Sequence, residues 1–174
     1  MDTDTNEGSV KRLISKDEAL ALIATSNRSS YAHLVGSLMR RLARRVGADE
    51  AQWEVVGLLH DLDYSQTTGD RSQHGIVASE RLQGQLDEDA LHAIQSHDHR
   101  TGVEPKSQLD IALIVADATA VALEQFGDGD PSIETLRTAI DEYEREKPWI
   151  STSMRRCEEI GIDFEQLLTI ALSS

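Results

Sequence analysis

Cysteine is nearly absent from this chain: Cys157 is the single one among 174 residues. It cannot form an internal disulfide and has no thiol partners for a structural zinc site, so it reads as a packed free thiol. No stretch approaches the ~20 consecutive apolar residues that span a bilayer. The opening Met-Asp-Thr-Asp-Thr-Asn-Glu-Gly also lacks the basic segment of a signal peptide. Both absences point to a cytoplasmic protein with no membrane partner. Positive charge is scarce as well, with 17 Lys and Arg (only four of them Lys) against 31 Asp and Glu, for a net charge of −14. Such an acidic surface repels nucleic-acid phosphates, which speaks against general DNA or RNA binding. Dinucleotide and P-loop glycine patterns are missing, as are internal repeats and any sustained strand-like alternation. The Gly-Asp-Gly-Asp at 127–130 is too short for a calcium loop.

Helical periodicity is present almost throughout. Ser15-Lys16-Asp17-Glu18 has the form of a capping box and opens a short helix bearing Leu20 and Ile23. Ser29 or Ser30 is expected to cap a second helix that ends at Gly47, with Leu34, Val35, Leu38, Leu42 and Val46 at helical spacing. Arg40, Arg41, Arg44 and Arg45 lie off that stripe and read as a solvated face. Asp49 caps a third helix that ends near Asp61, and the polar loop 65–72 comes next. A fourth helix is expected from Ser72 or Gln73 through Leu82 with His74 in its first turn, and a fifth from Asp87 to about His97. Ser107 opens a sixth, nearly all apolar to Phe126. Pro131 opens a seventh that Pro148 ends, and two short helices lie over 151–159 and 163–172. Residues 1–14 read as a flexible terminus, 15–174 as a single domain with C-terminal helices over 131–172. The expected class is all-α, a compact bundle of roughly seven to nine helices.

Some polar residues interrupt the apolar runs. Val56 to Tyr64 reads V-G-L-L-H-D-L-D-Y, which puts His60 and Asp61 side by side at the inner end of a buried helix. Groups so costly to bury need partners, and a divalent metal would satisfy both. The doublet alone is weak, because six His and sixteen Asp give roughly half such a pair by chance, and a second stands at His97-Asp98. Asp117 interrupts I-A-L-I-V-A-D-A-T-A, where a bare carboxylate costs several kcal/mol unless it is paired or bound. His33 lies in Y-A-H-L-V-G-S-L at the edge of its stripe, with the small Gly36 and Ser37 one turn on leaving room for an imidazole.

The order His33, His60-Asp61, Asp117, with His74-Gly75 after the doublet, resembles the HD-domain metal-dependent phosphohydrolases, over about 31–126. The resemblance is closest to small stand-alone hydrolase-like members. It implies a site in which His33, His60, Asp61 and Asp117 hold a divalent metal, with Mn²⁺, Fe²⁺, Zn²⁺, Ni²⁺ or Mg²⁺ suited to such N and O donors. Binuclear members add histidines at the places of His74 and His97, with Asp61 as the bridge, so one or two ions are expected. His99 leaves open which histidine of His97-Asp98-His99 faces inward.

The implied activity is hydrolysis of a small phosphate ester, a nucleotide or related phosphomonoester or phosphodiester, through a metal-activated water. Asp61 would orient that water and Asp63 assist proton transfer, while Arg71, Arg100 and Lys106 are candidate phosphate-binding cations. Two other readings stand beside it: a non-catalytic HD-fold module that binds metal or ligand for regulation, and an acidic helical interaction protein with incidental histidines. Nothing in the sequence decides for or against a homodimer.

Overall fold

The computed structural model describes residues 13–126, 129 and 131–173, so most of the expected flexible terminus and of the 127–130 loop lies outside the described residues. Among the described residues the chain is all-α, with nine α-helices, three short 3-10 turns and no strand. None of those helices is long and apolar enough to cross a membrane.

Local chemistry sets most boundaries. α1 (Lys16–Ile23) opens on a reciprocal capping box: Ser15 Oγ accepts from the Glu18 amide at 3.3 Å, and the Ser15 amide donates to the Glu18 carboxylate at 2.8 Å. α2 (Ser29–Val46) ends where Gly47 turns left-handed at φ 74°. It begins one residue earlier than expected, with Arg28 in the N-cap position and Ser29 and Ser30 already helical. The Arg side chain is engaged elsewhere, with Asp61. α3 (Glu50–Leu59) starts at Asp49, whose carboxylate accepts from the Ala51 and Gln52 amides at 3.0 Å each.

α2 and α3 pack closely at glycine. A Cβ on Gly57 would lie 2.8 Å from the Gly36 Cα. Gly36 therefore makes room for α3, not for the His33 imidazole as expected. Of the four arginines of α2, Arg40, Arg44 and Arg45 are exposed as expected and Arg41 is half-buried. Arg40 and Arg44 pair with Glu50, but Arg41 is drawn to the C-terminal carbonyls of the last helix, reaching Ile170 O at 2.9 Å.

The expected fourth helix is broken. Arg71–Gln73 form a 3-10 turn, His74 is extended (φ −68°, ψ 124°), Gly75 takes φ 87°, and only then does α4 run (Ile76–Arg81). Asp63 causes the break. Its Oδ2 accepts from the Gly75 amide at 2.8 Å and the Ala78 amide at 3.0 Å, so a carboxylate from a distant turn caps α4.

α5 (Glu88–Ser96) and α6 (Gln108–Glu124) come next, α6 with a Ser107–Asp110 capping box. α6 is the axis of the fold. It packs against α2, α5 and α8 and buries Leu109, Ile111, Leu113 and Val115, each worth ~1.5–3 kcal/mol of burial. α7 (Ile133–Glu146) is capped by Ser132. Pro148 does more than end it, since it is the first residue of α8 (Pro148–Arg155), which thus starts earlier than expected and passes into a 3-10 turn over Arg156–Ile160. α9 (Phe164–Leu172) is capped by Asp163.

Candidate metal centre

Three histidines reach one point from three segments. Each has its Nδ1 tied down. His60 Nδ1 lies 2.7 Å from Gly57 O, one turn back on α3, and His97 Nδ1 lies 2.6 Å from Ile94 O, one turn back on α5. His74 Nδ1 lies 2.8 Å from Asp63 Oδ1. With Nδ1 facing an acceptor, each imidazole carries its proton there when neutral and presents a free Nε2 lone pair.

The Nε2 atoms meet two carboxylates. Asp61 Oδ1 lies 3.1 Å from His74 Nε2 and 3.4 Å from His60 Nε2, and Asp117 Oδ1 lies 3.4 Å from His60 Nε2. His74 Nε2 and His97 Nε2 are 3.3 Å apart. His60 Nε2 is fully buried without a hydrogen-bond partner. Two neutral imidazoles cannot satisfy one another through facing lone pairs, and a buried nitrogen lacking a partner is costly. A cation between these atoms resolves both problems. In His60, Asp61 and His97 the possible ligand atoms all lie within 4.8 Å of one another. Three imidazoles and two carboxylates without thiol suit a divalent first-row metal or Mg²⁺.

In the metal-free protein a proton on His74 does part of the same work. Burial would raise the Asp61 carboxyl, but His60, His74 and His97 around it hold it far below the usual carboxylate range. Burial opposes protonation of His74, yet its hydrogen bonds to Asp61 and Asp63 raise it to about 9. His97 goes the other way: burial, then the neighbouring His60, lowers it.

The model of the HD domain matches residues 31–122, more than half of the chain. The chain belongs to the HD-domain family. Comparison with curated proteins and with solved structures gave no match. The family is one of metal-dependent phosphohydrolases, and the His/Asp cluster of this HD-domain protein is where a metal could bind.

Not every expected site residue is at the cluster. His60, Asp61, His74, His97 and Asp117 are together; His33 is not. It is exposed on α2, and the residue α2 presents to the site is Tyr31, whose hydroxyl donates to Asp117 Oδ1 at 2.6 Å. Two residues along a helix turn the side chain by ~200°, so Tyr31 and His33 face nearly opposite directions. The signal was in the sequence: Tyr31, Val35, Leu38 and Leu42 continue one stripe at helical spacing, and His33 falls outside it. Between the two histidines of His97-Asp98-His99, His97 is buried and turned inward, while the His99 side chain is 83% exposed.

Asp63, expected to assist proton transfer, has both carboxylate oxygens engaged within the fold. It is fully buried, with Oδ1 on His74 and Oδ2 on two amides, so it orients a histidine and caps a helix. Among the expected phosphate-binding cations, Arg71 stacks on Tyr64 with its Cζ 4.1 Å from the ring centroid. Tyr64 packs edge-on against His74 at 5.7 Å between centroids, which puts Arg71 at the border of the cluster. Arg100 is held by Asp98 through Nε at 2.9 Å and Nη2 at 2.5 Å. Lys106 is elsewhere. It lines a cavity of about 590 Å³ with His92, Gln95 and Asp110, which includes none of the five converging residues. That cavity lacks the convergence of ring nitrogens and carboxylates seen at the cluster, so size alone does not mark the reactive place.

Arg28 was not foreseen. Its Nε and Nη2 each lie 3.2 Å from Asp61 Oδ2 across 33 residues of sequence, a pairing that no local pattern signals.

Proposed function

We propose that this HD-domain protein is a metal-dependent hydrolase of a small phosphate ester, a nucleotide or related phosphomonoester or phosphodiester. What carries the reading is the convergence of three anchored imidazoles, with the orphaned His60 Nε2 among them, on Asp61 and Asp117. His60, Asp61, His74, His97 and Asp117 are the ligand candidates, for one or two ions. When bound, the metal would lower the pKa of water toward ~7 and offset charge gathering on a phosphoryl oxygen.

The chain's own groups supply the rest. Asp61 Oδ1 faces the histidines while Oδ2 is held by Arg28, so this carboxylate is fixed in a pose from which it can orient the attacking water. Tyr31 fixes Asp117 from the other side. Asp63 keeps His74 in the tautomer that offers Nε2. A cytoplasmic, non-membrane setting without nucleic-acid partners belongs to the same reading, in keeping with the net charge of −14. A homodimer is compatible with it.

The test is metal analysis of protein purified without chelator, followed by a screen of phosphomonoesters, phosphodiesters and nucleotides with Mn²⁺, Fe²⁺, Ni²⁺, Zn²⁺ and Mg²⁺. The expected result is bound metal and metal-dependent turnover. A chain that carries no transition metal and takes up none on addition refutes the proposal.

A second reading has its own observation. At the site-facing position of α2 the chain offers the Tyr31 hydroxyl, already hydrogen-bonded to Asp117, in place of an imidazole. A donor set one nitrogen short suits a module that binds metal or ligand for regulation without turnover. Metal binding with no turnover across the screen would favour it.

A further inference from the structure

Beside the cluster, two arginines and two tyrosines are layered. The Arg28 guanidinium lies 3.8 Å from the Tyr31 ring centroid and 4.4 Å from that of Tyr64, and Arg71 lies 4.1 Å from the same Tyr64 ring. Contact with an aromatic face holds each guanidinium without consuming its N–H donors. Arg28 uses Nε and Nη2 on Asp61, leaving Nη1 without a hydrogen-bond partner among the described residues. Arg71 has no carboxylate partner among them at all, and its Nη1 is buried and unsatisfied.

Arg71 stands at the border of the site with no acidic partner among the described residues, in a chain with 31 acidic groups to 17 basic ones. A buried donor of this kind calls for an acceptor that arrives from outside. The neighbouring Arg100 marks the contrast, since Asp98 already takes its fork.

We propose that Arg28 and Arg71, packed on Tyr31 and Tyr64, form the anion clamp that receives a phosphoryl group beside the metal centre. The proposal rests on the phosphate-ester reading above and adds the residues that would grip the substrate. A phosphoryl dianion offers three oxygens, enough for a two-point contact with the Arg71 fork and one more with Arg28 Nη1. Arg28 also neutralises Asp61, lessening the repulsion that ionised Asp61 and Asp117 would exert on the incoming dianion. Tyr64 and Tyr31 each carry a guanidinium on the ring, so this wall of the site reads charge and leaves little aromatic face for stacking a nucleobase.

The test titrates the full chain with inorganic phosphate at low ionic strength, once with EDTA and once with Mn²⁺, for wild type, Arg71→Gln and Arg100→Gln. Binding is followed by calorimetry, and folding of each variant is checked by its thermal midpoint. Arg71→Gln is expected to weaken phosphate binding about tenfold or more in whichever condition wild type binds, and Arg100→Gln less than about twofold. If Arg71→Gln fails to fold, Arg71→Lys replaces it, with a smaller loss expected because the charge remains without the planar fork. Equal phosphate affinity in wild type and the Arg71 variant, or no binding in either condition, overturns the clamp. So does malonate binding as tightly as phosphate, which would make the ligand a carboxylate. An Arg71-dependent phosphate site in a chain that shows no turnover leaves the clamp standing and removes only the hydrolase reading.

Discussion

The chain contains the same dipeptide twice, His60-Asp61 after α3 and His97-Asp98 after α5, and the two copies do different work. In each, the histidine Nδ1 faces the carbonyl three residues back and Nε2 enters the cluster. The aspartates diverge. Asp61 continues inward, with Oδ1 near two imidazoles and Oδ2 on Arg28. Asp98 turns away, accepts from the Arg100 amide at 3.0 Å to cap the 3-10 turn His99–Thr101, and takes the Arg100 guanidinium. The residues just C-terminal to each doublet make the difference. After Asp98 comes a short turn whose free amide and arginine are within local reach, so the carboxylate is satisfied by its own neighbours. After Asp61 no downstream amide or arginine is engaged, and apart from the adjacent His60 its partners are distant in sequence.

The sharpest break of this comparison is Asp61→Ala against Asp98→Ala. A bound metal at a hundredfold excess over its Kd stabilises by about 2.7 kcal/mol, a rise of roughly 5–10 °C in Tm for a domain of this size. Asp61→Ala is expected to abolish that metal-induced rise together with any hydrolysis, while Asp98→Ala retains both. Calorimetry with and without Mn²⁺ reads the result, and equal metal responses in the two variants would contradict it.

Next in size is the stoichiometry. If His74 and His97 complete a second ion's shell, five converging protein groups serve two ions ~3.5–4 Å apart. Elemental analysis should then show His74→Ala with half the metal of wild type and Asp117→Ala lacking the other ion. One equivalent in both wild type and His74→Ala would establish a single ion.

Tyr31→Phe removes the hydroxyl that holds Asp117 and keeps the ring that carries Arg28. Loss of such an outer partner costs about 10–100-fold in metal affinity, measurable by chelator competition. An unchanged affinity would make Tyr31 a packing residue only.

A smaller effect separates the histidines by pH. His74 is raised in the fold to about 9 from its ordinary 6.5, against burial, by Asp61 and Asp63. A group raised on folding contributes stability that is fully present below its unfolded value and lost as pH climbs through the folded one. The metal-free chain should therefore lose thermal stability between pH 6.5 and 9. His60, raised by Asp61 and Asp117 against its own burial, acts in the same direction. His97, lowered by burial, acts in the opposite direction, and only near pH 6.5, where the unfolded imidazole still binds protons. His74→Gln should flatten the profile in differential scanning calorimetry with EDTA, and an unaltered slope would contradict the assignment. The smallest expected change is the stability cost of Asp98→Ala itself, ~1 kcal/mol for a lost cap, read by urea denaturation.

Local sequence patterns determined much of this protein. Helical periodicity, capping residues and Gly47 placed most helix ends, because those signals act within one or two turns of the chain. The interruption of apolar runs by His60, Asp61 and Asp117 marked three members of the site for the same reason. Only the tertiary structure decided the rest. It tied Tyr31, which the α2 stripe already turns inward in place of His33, to Asp117 across 86 residues. It made Asp63 a cap for α4 and an anchor for His74, interrupting the expected helix, because that carboxylate reaches amides 12 and 15 residues away. It chose His97 over His99 and brought Arg28 to Asp61 across 33 residues. Each of these depends on pairing between segments far apart in sequence, where a polar group's partner is fixed by packing and periodicity carries no record of it.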